Sequence, residues 1–232
     1  MQLLTQNSDL KKTGIYGWTL PAHWVKLTNG KKFNTCPNAG VCAAFCYAKS
    51  GTFMFKNVRA AHIKKLEMVL YEAEEWIENM NNELAKDKYD KKYIRLHDAG
   101  DFFSEEYALN WFKIMNANPQ CTFYAYTKEV ELFKHKLADQ IPKNFILIYS
   151  FGGKQDHMID KETDRNADVY TDYDRMISEG YFDIEDDDKL AAIGESTKVG
   201  IYRNNIPYLI KKQKNKNFSE WQHNPKSKLK DL

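Results

Sequence analysis

Three of the four cysteines, Cys36, Cys42 and Cys46, fall within eleven residues of one loop, Thr35 to Gly51. Three soft ligands on a short loop suit a metal site that keeps one coordination position open. A structural zinc ion normally takes four protein ligands, often as C-x2-C pairs, and no such pair occurs here. Zinc, the alternative metal, would need His23, His62 or His97 as its fourth ligand. Three thiolates and one unoccupied iron therefore give the preferred assignment, a [4Fe–4S] cluster. An open iron invites a small-molecule cofactor or substrate. One helical turn would place Cys42 and Cys46 on the same side, with Cys36 reaching them from the stretch shaped by Pro37 and Gly40. Cys121 begins a predicted strand, at the edge opposite the loop, and reads as a small buried hydrophobe.

A second group is His97-Asp98-Ala99-Gly100-Asp101. At the end of a strand it would put two carboxylates, a histidine and a flexible glycine on the functional edge of a parallel sheet. The plainer reading is that both carboxylates satisfy turn and capping amides. Tyr126, Lys128 and Ser150 end the next two predicted strands at that edge, where Lys128 alone offers a positive charge for a carboxylate or phosphate. Gly152-Gly153 would let the backbone approach a ligand. A hydrolase with His97, Asp98 and Asp101 on a divalent metal is a third, weaker option.

The elements that must position these groups alternate. Gly14 to Pro21 predicts a first strand, and Trp24 to Leu27 with the Asn29-Gly30 turn allows a hairpin or an irregular connection. From about Asn57 to Lys86 the apolar residues recur at three and four, which predicts one long helix. Lys64, Lys65, Glu67, Glu72, Glu74, Glu75 and Glu78 lie on its solvated face. Tyr93 to Asp98 predicts a strand. Ser104 then caps a helix that Asn118-Pro119 ends. Cys121 to Tyr126 is again a strand, Val130, Phe133 and Leu137 a short helical stripe, and Phe145 to Ser150 a nearly continuous apolar strand. Beyond it, Asp168 to Asp188 is acidic and turn-rich, Asp188 to Gly194 a short helix, Lys198 to Tyr202 a strand, and Pro207 the opening of a closing helix. The pattern predicts an α/β protein with parallel strands in a complete or partial (β/α) barrel. With no repeat and no linker it reads as one domain over residues 1–232.

With 34 basic and 32 acidic side chains, the overall charge makes no case for a nucleic acid or membrane partner. Seven lysines between Lys211 and Leu232 make a basic tail; it reads first as a solvated terminus and only weakly as a nucleic-acid contact. No apolar window is long enough to span a bilayer. The unevenly spaced cysteines and the lack of a leader pattern after Met1 predict a reducing cytoplasm.

The run Thr-Cys-Pro-x4-Cys-x3-Cys-Tyr-Ala-x2-Gly, with His-Asp-x-Gly-Asp-Phe-Phe and Thr-Phe-Tyr-Ala-Tyr-Thr-Lys, resembles a family of small uncharacterised bacteriophage proteins with a three-cysteine loop. The likeness runs from about Gly14 to Ser150. In broader outline it is similar to radical S-adenosylmethionine enzymes, in which a three-cysteine loop after the first strand of a partial (β/α) barrel holds a [4Fe–4S] cluster whose fourth iron chelates the cofactor. That resemblance implies metal ligation by Cys36, Cys42 and Cys46, with Phe45 in the aromatic place before the last cysteine. Cofactor contacts would come from Tyr47, His97, Asp98, Gly100, Asp101, Tyr126, Lys128 and Ser150. The chain departs from that superfamily in its spacing, C-x5-C-x3-C against the usual C-x3-C-x2-C, and has Asp98-Ala99-Gly100-Asp101 where a Gly-Gly-Glu type segment is usual. It also lacks the second cysteine group near the C-terminus that many members of the phage family carry. An enzyme would need an electron donor. The alternative is a non-catalytic iron–sulfur or zinc protein that serves as a partner-binding module. For a phage protein the compartment would be the host cytoplasm.

Overall fold

The computed structural model describes residues 2–203 and 206–222. The predicted basic tail lies outside the described residues from residue 223 onward. The chain forms two interleaved compact units. The first comprises Met1–Pro37, Tyr47–Ala125 and Leu132–Ile146; the second comprises Asn38–Cys46, Tyr126–Glu131 and Leu147–Leu232.

The first unit opens on a short helix, α1 (Ser8–Thr13), because the Asn7 side chain accepts from the amides of Asp9 and Leu10 and Gly14 ends it at φ 70°. Strand β1 (Tyr16–Trp18) follows, then β2 (Trp24–Lys26) and β3 (Lys32–Asn34), an antiparallel pair across the Asn29-Gly30 turn. The hairpin is thus the outcome of the two connections that were open. The single long helix expected over 57–86 is two: α2 (Lys56–Tyr71) and α3 (Ala73–Leu84), parted at Glu72, which leaves helical geometry at φ −136° and ψ 43°. The apolar period runs through the break, but α3 buries its own stripe of Trp76, Met80 and Leu84. Parting the helix at Glu72 lets that stripe pack independently of α2.

Strand β4 (Tyr93–Leu96) pairs in parallel with β1, placing Trp18 beside Leu96. It is two residues shorter than expected, since His97 turns into the left-handed region at φ 61°. Helix α4 (Glu105–Ala117) is capped by Ser104, whose hydroxyl accepts from the Tyr107 amide at 3.2 Å. Trp18, Trp76, Tyr107 and Trp111 pack in one cluster, with ring centroids 5.1–6.4 Å apart. Strand β5 (Thr122–Thr127) pairs in parallel with β4 and continues into the second unit, as does β6 (Phe145–Ser150).

The second unit holds β7 (Asn166–Tyr170), α5 (Tyr173–Ser178), β8 (Phe182–Asp183), α6 (Leu190–Ile193), β9 (Lys198–Tyr202), α7 (Pro207–Gln213) and α8 (Phe218–Gln222). The end of β6 pairs with β7, β7 with β9 and β9 with β8, all in parallel. The stretch expected to be turn-rich therefore contains a central strand. All five residues of β7 are buried, Asn166 and Asp168 included. Asn166 donates to the carbonyls of Lys161 and Asp164 and accepts from the Tyr181 hydroxyl, which removes the objection to a polar residue at that depth.

The protein is thus α/β with seven parallel strands in an open sheet, and the expectation of a complete barrel is corrected. The outer edge of β1 is taken by an antiparallel bridge from Thr5 to Gly17, and β8 is only two residues long. Neither edge is left as a free, full-length strand, which closure would require.

Candidate functional site

In the first unit the groups singled out in the sequence gather where β1 and β4 end. The His97 amide donates to the Trp18 carbonyl and the Leu20 amide to the Ala99 carbonyl, so the two strand ends leave the sheet together. Gly100 has φ 85°, and a Cβ there would meet the Leu20 side chain at 2.8 Å, so only glycine fits. The Asp101 amide then donates to the Thr35 carbonyl at 2.9 Å, and the Thr35 hydroxyl donates to the Pro21 carbonyl at 2.6 Å. These bonds fix the backbone immediately before Cys36, whose thiol lies 3.7 Å from the Thr35 hydroxyl.

Asp98 is held by Arg95 at 3.3 Å and by the Tyr47 hydroxyl, which donates to both its carbonyl and its carboxylate. Asp101 is buried, and its carboxylate accepts from the Phe102 amide at 2.8 Å. Asp101 thus satisfies a local turn amide, as the plainer reading expected, while Ser104 caps the helix. His97 faces the core: Nε2 lies 2.9 Å from the Tyr107 hydroxyl, the ring meets Phe102 edge-on, and buried Nδ1 has no hydrogen-bond partner. Burial pushes its pKa down to about 3, so the ring is neutral. His97, Asp98 and Asp101 are thus turned to separate partners, which removes the geometry that the divalent-metal hydrolase needed.

In the second unit the cysteine loop is anchored on the Gly152-Gly153 turn. The amides of Gly40 and Cys42 both donate to the Gly152 carbonyl at 3.0 Å, and the Val41 amide donates to the Gln222 side chain. Cys42 and Cys46 are not joined by an α-helical turn. Two short 3-10 turns, Val41–Ala43 and Tyr47–Lys49, flank a bend that buries the Phe45 ring against Phe218 and Trp221. Burying that ring takes precedence over helical continuity. Lys212 donates to the Ala44 carbonyl at 3.2 Å and Arg203 to the Phe45 carbonyl at 3.4 Å, so two cations sit on the segment between the cysteines. Neither stood out in the sequence, because they lie 158 and 168 residues along the chain from the carbonyls they meet. Lys128 donates to Ser150 at 2.8 Å, and the Tyr126 hydroxyl lies 3.5 Å from Asp188.

None of the four cysteines is in a disulfide; Cys36, Cys42 and Cys46 are partly exposed. Cys121 is buried, donates to the Tyr89 carbonyl at 3.3 Å and has its pKa pushed up to about 11 by burial. Among the described residues, no group of three or more His, Cys, Asp or Glu side chains is placed to hold a single metal ion. No described helix is long and apolar enough to cross a membrane.

One expectation fails outright on α2. Lys65, assigned to a solvated face, is only 3% exposed. Val58, Ala61, His62, Lys65 and Val69 recur at three and four, a second stripe that the dominant apolar one concealed.

Fold and site together define an open parallel α/β protein with a cysteine-bearing loop. Comparison with known proteins is specific: the chain belongs to the bacteriophage family described as Gene product 88, whose model matches residues 1–226. It is 31% identical over 115 residues to the Gene 88 protein of Mycobacterium phage L5 and 30% identical over 115 residues to that of Mycobacterium phage D29. Each match covers 46% of this chain and 48% of the relative, so the likeness spans about half the length of each curated protein. No solved structure matches the chain.

Proposed function

We propose that the chain is an iron–sulfur protein in which Cys36, Cys42 and Cys46 hold a [4Fe–4S] cluster with one open iron, and that it acts as a radical S-adenosylmethionine enzyme in the host cytoplasm. The observation that carries this reading is the donor set: three partly exposed cysteines on one loop, none in a disulfide, with Lys212 and Arg203 on the carbonyls between two of them. A structural zinc ion takes four protein ligands, and the loop offers three cysteines. A cluster with one open iron needs only three.

When bound, such a cluster supplies the single electron that cleaves S-adenosylmethionine. The chain's own part is positioning. Thr35, tied to Pro21 and Asp101, fixes the entry to Cys36, while the Gly152 carbonyl holds the amide of Cys42. Lys128, which donates to Ser150, supplies a positive charge for a carboxylate or phosphate. The non-catalytic reading, a cluster that braces a partner-binding module, is favoured by the prior engagement of Asp98 with Arg95 and Tyr47.

The test is anaerobic purification with iron and sulfide analysis, then electron paramagnetic resonance of the reduced protein with and without S-adenosylmethionine. About four irons per chain and a spectrum that moves with the cofactor support the enzyme. Iron with an unmoved spectrum supports the brace. No iron, or the same iron content in Cys42→Ser, overturns both.

A further inference from the structure

Lys65 is a buried amine that the cysteine reading does not use. It is 3% exposed on α2, makes no ion pair or hydrogen bond among the described residues, and holds its ammonium 5.1 Å from the centroid of the Trp18 ring. A ring face offsets only part of the cost of taking an ammonium out of water. The side chain lines a cavity of about 410 Å³ that lies wholly within the first unit. Leu10, Val58 and Phe53 give that cavity apolar walls, and Thr19, Thr52 and Gln6 add uncharged polar groups.

The titratable residues on its walls are His62, Lys65 and Asp98. Asp98 is spoken for, since its carboxylate pairs with Arg95 and accepts from Tyr47. The His62 pKa is pushed down to about 4, first by burial and then by Lys65, against the opposing pull of Asp98, so the ring is neutral near pH 7. One positive charge is left over, facing space large enough for a small molecule.

We propose that this cavity binds a small organic anion with an apolar body, whose acidic group pairs with the Lys65 ammonium. The pairing restores the counter-charge that the protein withholds, and the apolar walls take the rest of the ligand. Burial alone lowers the pKa of Lys65 to about 8, and a bound anion would return it toward its ordinary range. The inference is independent of the metal reading and is tested on the protein as purified.

Benzoate is the probe, with benzamide as its neutral isostere and inorganic phosphate as an anion without an apolar body. Binding is followed by calorimetry and by the ¹³C shift of the labelled Lys65 side chain across pH. Benzoate is expected to bind at least about tenfold more tightly than benzamide and to raise the Lys65 pKa, and Lys65→Met is expected to lose that preference. The variant should fold, because a methionine replaces an unpaired buried charge, and circular dichroism checks this. Equal binding of benzoate and benzamide, a benzoate affinity unchanged in Lys65→Met, or no response to either anion overturns the proposal. Phosphate binding as tight as benzoate overturns the apolar-body part and retains the anion site.

Discussion

Lys65 in the first unit and Asp168 in the second are both charged side chains taken almost wholly out of water, at 3% and 0% exposure. Their surroundings differ. Asp168 Oδ1 accepts from the amides of Val169, Phe218 and Ser219 at 2.8–3.3 Å, so the carboxylate ties β7 to the start of α8. Lys65 has an aromatic face and a cavity instead. A buried charge whose bonding capacity is met inside the chain builds structure, whereas one whose capacity is unmet leaves a place for something else. The apolar cores differ as well: the first unit is centred on tilted and edge-on indoles, the second on Tyr170, Met176 and Tyr181 and on Phe45 against Phe218 and Trp221.

The largest effect expected from breaking this contrast is on the aromatic side. Trp76→Ala removes a ring that meets Trp18, Tyr107 and Trp111 at 5.1–5.7 Å and should cost about 3–5 kcal/mol in urea unfolding. A loss under about 1 kcal/mol would mean that the indoles do not act as one core.

Next come the two charges, where opposite signs are expected. Asp168→Ala removes the acceptor of three buried amides and should cost about 1–3 kcal/mol, since local rearrangement and water in the vacated space re-satisfy part of the set. Lys65→Met should be neutral or stabilising, because it removes an unpaired charge and keeps the volume. If both variants destabilised alike, the distinction between met and unmet charges would fail.

The sequence disclosed these features unevenly. β9 (Lys198–Tyr202), the Ser104 cap and the start of α7 at Pro207 were legible because each rests on local chemistry: alternation, a hydroxyl before acidic residues, a fixed φ. β7 was not, since Asn166 and Asp168 argue against a strand until their partners, thirty or more residues away in the case of Thr197 and Phe218, are known. Lys65 was misread because its stripe lies beside a stronger one. The three cysteines were visible as a cluster in the chain, but the bend between Cys42 and Cys46 depends on burial of Phe45 against α8, which no local pattern encodes.

Titration gives a third and smaller test. His97 and His62 have pKa values pushed down by burial, to about 3 and about 4, below the ordinary 6.5. The unfolded chain then binds more protons than the folded one below pH 6.5, so their contribution to stability is lost as pH falls from 6.5 toward those values. Asp168 works the other way: its pKa is raised to about 6 by burial against the pull of its amide donors, so this group favours folding as pH falls from 6 toward 3.8. The urea midpoint of the wild type should fall between pH 6.5 and pH 4.5. It should fall further in Asp168→Asn, which has no compensating proton to gain.

The smallest difference expected is between two helix caps. Ser104 accepts from the Tyr107 amide at the start of the thirteen-residue α4, and Asp172 accepts from the Arg175 amide at the start of the six-residue α5. Replacing either by alanine removes one amide acceptor, worth about 1 kcal/mol. The consequences should diverge because the two helices are held differently. α4 buries Tyr107, Ala108, Trp111, Phe112, Ile114 and Met115, so its first turn is pinned by packing and Ser104→Ala should cost about 1 kcal/mol at most. α5 buries Met176 alone and depends on side-chain bonds, Arg175 to Glu179 at 2.7 Å and to Glu220 at 2.9 Å. Removing its cap loosens the turn that carries Arg175, so Asp172→Ala should cost as much as Ser104→Ala or more. Amide hydrogen exchange should show faster opening over Tyr173–Ser178 in that variant, while α4 in Ser104→Ala exchanges faster only in its first turn. Matching exchange in the two variants would show that polar anchoring and apolar packing hold these helices equally well.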